Sequence, residues 1–141
     1  MILRILAHLG LSLLAFLVID LLWLGIVAKS IYGHHLGHLM RPTVHWPAAL
    51  TFYALFVGGL VLLAVYPALD QGGWTRALLI GLVYGFLTYM TYELTNWAVL
   101  KDWPAGIVAI DIAWGTILGG AVATASFWIG RWLGVAPPFL L

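Results

Sequence analysis

Four long apolar runs leave this chain little freedom in how it can fold. A helix needs about 20 apolar residues to cross the hydrocarbon of a bilayer. Ile5 to Ala28, Pro47 to Tyr66, Ala77 to Leu100, and Ala105 to about Leu133 each meet that length. Trp46 and Pro67 punctuate the second run, and Pro137-Pro138 follows the fourth as a stop. Only 8% of the 141 residues are charged, against about 25% in a soluble domain. Lipid must cover such a surface, and in lipid every backbone N–H and C=O has to be paired within its own segment. The expected fold is all-α: an integral membrane four-helix bundle, one transmembrane domain over residues 1–141.

Arg4 ahead of an apolar run resembles a signal peptide. However, the run is too long for that role, contains Asp20 and lacks a small-x-small cleavage site. A retained helix is expected. The net charge of +1 without any basic run gives nucleic acid no footing. The absence of cysteine removes disulfides, thiolate catalysis and Cys-ligated metals, and no cofactor signature is evident. The bilayer is the partner the composition demands.

Loop 2 (Pro67 to Arg76) and loop 3 (Lys101 to Pro104) are short, so the helices they join should be antiparallel neighbours. Loop 1 (Lys29 to Trp46) is longer. Tyr32, Leu36, Leu39 and Met40 share one helical face there, which fits a short interfacial helix, although Gly33 and Gly37 oppose it. Arg4, Arg76 and Arg131 lie on the side of the termini; Lys29, Arg41 and Lys101 lie on the other. That balance barely orients the chain, and cytoplasmic termini are the expectation. Trp46, Trp74, Trp103, Trp128 and Trp132 sit near span ends, as an aromatic belt would. Gly81 and Gly85, with Gly115 and Gly119, have the small-xxx-small spacing that lets two backbones approach.

The ionisable groups are unevenly placed. Asp20, Glu93 and Asp111 each lie six to eight residues from a helix end at loop 1 or loop 3, a depth of ~9–12 Å. Antiparallel spans put loops 1 and 3 on one side, so the three acids should share one layer. A central carboxylate costs roughly 2.5–3.5 kcal/mol on insertion scales, so these side chains should turn inward and find donors. Tyr89, Tyr92 and Asn96 form a stripe beside Glu93. Helices 1 and 4 share the pattern Ile-Asp-x-x-Trp, which sets Trp23 one turn from Asp20 and Trp114 one turn from Asp111. Asp20, Glu93, Asn96, Asp111, Tyr89, Tyr92, Trp23 and Trp114 are therefore the candidate ligand-binding residues. Buried polar residues can also serve only to fix helix register. Several carboxylates in a low dielectric cannot all stay ionised cheaply, which equips such a layer to exchange protons as a coupled group.

His34, His35, His38 and His45 crowd loop 1. His34 and His38, four apart, could hold a metal if that segment is helical; the plainer alternative is a hydrated face that contains histidine. His8 lies near the opposite surface, alone, with no role assigned.

Several stretches together resemble one family. They are Thr91-Tyr92-Glu93-Leu94-Thr95-Asn96, Lys101-Asp102-Trp103-Pro104, and Val108 through Asp111 and Trp114 to Thr116. With Asp20 to Gly25, Tyr32, Leu36 to His38 and Gly59 to Pro67, they resemble the bacterial membrane proteins of DUF2177 across nearly the whole chain. Glu93 stands where that pattern more often has Asp, which keeps the charge and lengthens the reach. The resemblance implies a four-helix protein of the bacterial cytoplasmic (inner) membrane and names no substrate.

Three functions fit. One is binding or moving a proton, a cation or a small polar ligand, with a homodimer expected because four spans are few for alternating access. Another is an enzyme embedded in the membrane, acting on a lipid or isoprenoid. The last is an accessory subunit of a larger membrane complex.

Overall fold

A computed structural model describes residues 1–71 and 73–136; the Pro137-Pro138 stop lies outside them. The chain forms four helices long and apolar enough to cross a membrane: α1 (Ile2–Leu36), α2 (Trp46–Asp70), α3 (Gly73–Val99) and α4 (Ala105–Leu133). Among the described residues there is no strand. Leu14, Ile26, Leu55, Leu63, Val83 and Ile117 lie exposed on the outer faces, where acyl chains would solvate them. Lipid tails are as apolar as leucine, so the bundle is held by close packing and interhelical hydrogen bonds and gains little from a hydrophobic drive.

The seam between α3 and α4 is the tightest. The buried face of α3 carries Ala77, Gly81, Gly85 and Glu93, and Gly115 and Gly119 meet it from α4. A methyl group added at Gly81 would come within 2.5 Å of the Ala123 Cβ and 2.6 Å of the Gly119 carbonyl oxygen. Backbone therefore lies on backbone, as the glycine spacing implies. Helix α1 packs antiparallel on the other side of α4 with His8, Ser12, Phe16 and Asp20, one residue per turn, buried. Phe16 meets Phe52, Tyr53 and Phe56 of α2 at ring distances of 6.4, 5.4 and 5.4 Å. The Tyr84 hydroxyl of α3 donates to the Phe56 carbonyl at 3.2 Å, a bond that Gly59 leaves room for.

Two helices run past their expected C-terminal ends, and α3 begins at Gly73, ahead of the expected Ala77. Helix α2 runs through Pro67 to Asp70 instead of stopping at Tyr66. Proline has no N–H, and in an α-turn its ring would press on the carbonyl four residues back. A π-turn at Val61–Val65, in which the Tyr66 N–H reaches the Val61 carbonyl, widens the coil just ahead of it. Helix α1 likewise continues past Ala28 to Leu36, through a π-turn at Trp23–Val27 closed by the Ala28 N–H on the Trp23 carbonyl. The helical part of loop 1 is thus the end of α1 and not a separate interfacial helix.

This wide turn has a positional effect. Tyr32 is twelve residues after Asp20, which in a regular α-helix would set the two about 120° apart. One extra residue absorbed in the turn brings them to about 20°. Deleting Gly25, which has open space beside its Cα, should turn the wide turn into an ordinary one and leave Tyr32 in place. Inserting one alanine after Val27 should swing Tyr32 about 100° off the face. Thermal unfolding in detergent should show the deletion near wild type and the insertion clearly lower.

Candidate functional site

Asp20, Glu93 and Asp111 are exposed by 7%, 0% and 6%, so none faces lipid. Asp111 lies near both others. It lies close enough to Asp20 and to Glu93 to interact electrostatically with both.

The donors to these carboxyls are indoles and a phenol. Trp114 Nε1–H donates to Asp20 Oδ1 at 3.4 Å. Trp103 Nε1–H donates to Glu93 Oε2 at 2.9 Å. The Tyr32 hydroxyl donates to Asp111 Oδ1 and itself accepts from Trp23 Nε1–H at 3.5 Å. The Trp23 and Trp114 rings stack with centroids 4.3 Å apart and planes 5° from parallel. The two Ile-Asp-x-x-Trp patterns therefore cross over: Trp114 serves the Asp of α1 directly, and Trp23 serves the Asp of α4 through Tyr32.

Glu93 Oε1 differs from these atoms. It is buried and has no donor among the described residues, and the Asp111 carboxyl lies near the Glu93 carboxyl. Two carboxylate oxygens are both acceptors, so their contact becomes a hydrogen bond only when one of them carries a proton.

Asp111 also lines a cavity of about 420 Å³ with Phe52, Thr88, Tyr89 and Tyr92. Phe52 is 44% exposed and Tyr92 53%, so the mouth opens sideways between α2 and α3 toward the acyl chains. Tyr89, half-buried, lies near both Asp20 and Asp111, and its ring fills the space left by the missing side chain of Gly115. Asn96 lies beside the Tyr92 hydroxyl at the rim. A second, shallower groove of about 390 Å³ lies between α1 and α4, walled by Trp23 and Trp114.

Tyr32 and Trp103 are missing from the set of residues expected from sequence. Spacing alone puts Tyr32 on the apolar face of a loop helix and Trp103 in the interfacial belt. Trp46, Trp74, Trp128 and Trp132 are exposed near span ends as a belt requires, whereas Trp103 turns inward. Replacing Trp103 by phenylalanine should leave both oxygens of a buried carboxyl without a donor and cost about 1–3 kcal/mol, measurable as a lower unfolding temperature.

The histidines divide. His45 caps α2 by accepting from the Ala48 N–H at 3.3 Å, and His35 packs over Gly106. His34 lies in the last turn of α1 and His38 beyond its end, both exposed. Among the described residues no three His, Asp or Glu side chains group closely enough to hold a metal ion, the three acids included. His8, expected to be alone, is buried: its Nε2 lies 2.8 Å from the Ser126 carbonyl oxygen.

Residues 5–128 match the family described as "Predicted membrane protein (DUF2177)", and the chain belongs to that family. No curated protein and no solved structure matches it.

Proposed function

For this four-span DUF2177 member we propose an intramembrane binding site in which Asp111 and Glu93 hold one proton between them. That proton is exchanged when a small polar ligand bearing a hydrogen-bond donor occupies the adjoining cavity. The observation that carries this reading is the Glu93 Oε1 atom, buried without a donor beside a second carboxyl. Asp20 brings a third carboxyl from α1, and Tyr32, Trp103 and Trp114 donate to the three carboxyls. The cavity falls within the range of about 300–1,000 Å³ typical of small-molecule sites. A proton suits the acid pair better than a multivalent metal, because the acids do not gather as a metal cage. The proposal includes the bacterial cytoplasmic membrane, cytoplasmic termini and a homodimer, which would supply the spans that one chain lacks for alternating access.

The test is infrared difference spectroscopy of the reconstituted protein on transfer from H2O to D2O. A carboxyl C=O band that shifts on deuteration and disappears in Asp111→Asn supports the shared proton; no such band in the wild type overturns it. Native mass spectrometry of the purified protein would name a retained ligand.

A second reading has one observation in its favour. The sideways groove between α1 and α4 is where a lipid or isoprenoid would approach Asp20 if the site were an enzyme. The stacked indoles close that approach, so the binding role ranks first.

A further inference from the structure

The face of α1 that carries Asp20 carries a second polar group at its other end. His8, Ser12 and Ser126 are each 0% exposed. His8 Nε2 lies 2.8 Å from the Ser126 carbonyl oxygen and 3.1 Å from its hydroxyl. The two serine hydroxyls are 2.6 Å apart, and Ser12 donates to the His8 carbonyl at 2.7 Å. These bonds satisfy every polar atom of the three side chains except His8 Nδ1, which is buried without a partner among the described residues. Whichever tautomer holds, one ring nitrogen stays open. A cluster that served only to bind α1 to α4 would need neither an ionisable ring nor that open nitrogen.

One turn outward from His8, Met1, Arg4, Ile5 and residues Gly134 to Ala136 line a cavity of about 200 Å³ at the end of the bundle. Inward, the antiparallel pairs His8–Ser126 and Asp20–Trp114 bracket Phe16, which lies level with Leu118 and Val122. All three are 0% exposed. Twelve residues separate His8 from Asp20, about 18 Å of helix, with one apolar layer between them.

We propose that the α1–α4 seam is a closed proton relay: His8 with Ser12 and Ser126 is a second proton-binding site, loaded from the terminal side, and Phe16 is the plug that separates it from the acid layer. The relay rests on the acid-pair reading above, and its test is kept separate. The chain has no cysteine, so single cysteines report water directly. In nanodiscs, Ser126→Cys should react with a small charged thiol reagent about tenfold faster than the equally buried Leu118→Cys or Val122→Cys, because water near a thiol favours the reactive thiolate. In liposomes holding a trapped pH dye, Phe16→Ala should raise proton flux above that of the wild type, and adding His8→Gln, which keeps a donor for the Ser126 carbonyl but has no titrating ring, should return it toward that of protein-free vesicles. Equal slow labelling at all three positions, or undiminished flux when His8→Gln is added to Phe16→Ala, overturns the relay. An intact infrared acid signal with an unreactive Ser126→Cys removes the relay alone. A reactive Ser126→Cys without that signal removes the acid pair and the relay with it.

Discussion

Gly119→Leu should abolish the folded bundle. A Cβ at Gly119 would lie 2.9 Å from both the Cα and the N of Gly85. Real Cβ atoms do not approach backbone so closely, and neither of those atoms can rotate aside. Overpacking an ordinary core costs about 1–3 kcal/mol because side chains yield. Here the only relief is for α3 and α4 to part along their length, which would also move Glu93 away from Asp111. Between membrane helices the packing that would be lost is most of what holds the pair. The expected result is loss of the monodisperse peak in size-exclusion chromatography and of a cooperative thermal transition. Gly10→Leu is the control, since nothing lies within 4 Å of a Cβ there, and it should behave as wild type. A folded Gly119→Leu protein with a wild-type melting curve would mean that the backbone contact does not exist.

Asp111→Asn should separate scaffold from chemistry. The amide oxygen still accepts from the Tyr32 hydroxyl, and the amide N–H can donate to Glu93 Oε1, the oxygen that lacks a donor. Stability should hold or rise while the shared proton, with its infrared signature, disappears. Asp111→Ala should lose the signature and stability together, because it strands both the Tyr32 hydroxyl and Glu93 Oε1; leaving a buried polar group unsatisfied costs about 1–3 kcal/mol. If the asparagine variant kept the deuterium-sensitive band at full strength, the proton would not be shared between these two residues. If it unfolded like the alanine variant, the two carboxyls would not be neighbours.

What could be read from sequence follows the range of the forces involved. The four spans are local facts of length and apolarity, and all four form. The glycine pairs on α3 and α4 depend on spacing within one helix, and they meet where that spacing implies. Tyr32 shows where such reading stops. Its place beside Asp111 depends on a wide turn that no residue type announces, and a regular helix would have turned it about a third of a revolution away. Trp103 was hidden by a generic role, because a tryptophan at a span end is ordinarily a belt residue. His8 looked alone because Ser126 stands 118 positions away in the chain. The crossing of the two Ile-Asp-x-x-Trp patterns was hidden for the same reason: spacing shows which Trp is one turn from each Asp, but not which partner helix lies across from it.

Helix α1 has 35 residues, about 52 Å of rise, against hydrocarbon only about 30 Å thick. Its surplus does not stand free in the headgroups, since Tyr32 turns back to roof Asp111. The height at which that phenol rides is set by how the helix accommodates the local bilayer through tilt or thickening. Under the proposed function, lipid thickness would then set how well the acids are shielded from interfacial water, and the membrane itself would tune the chemistry beneath.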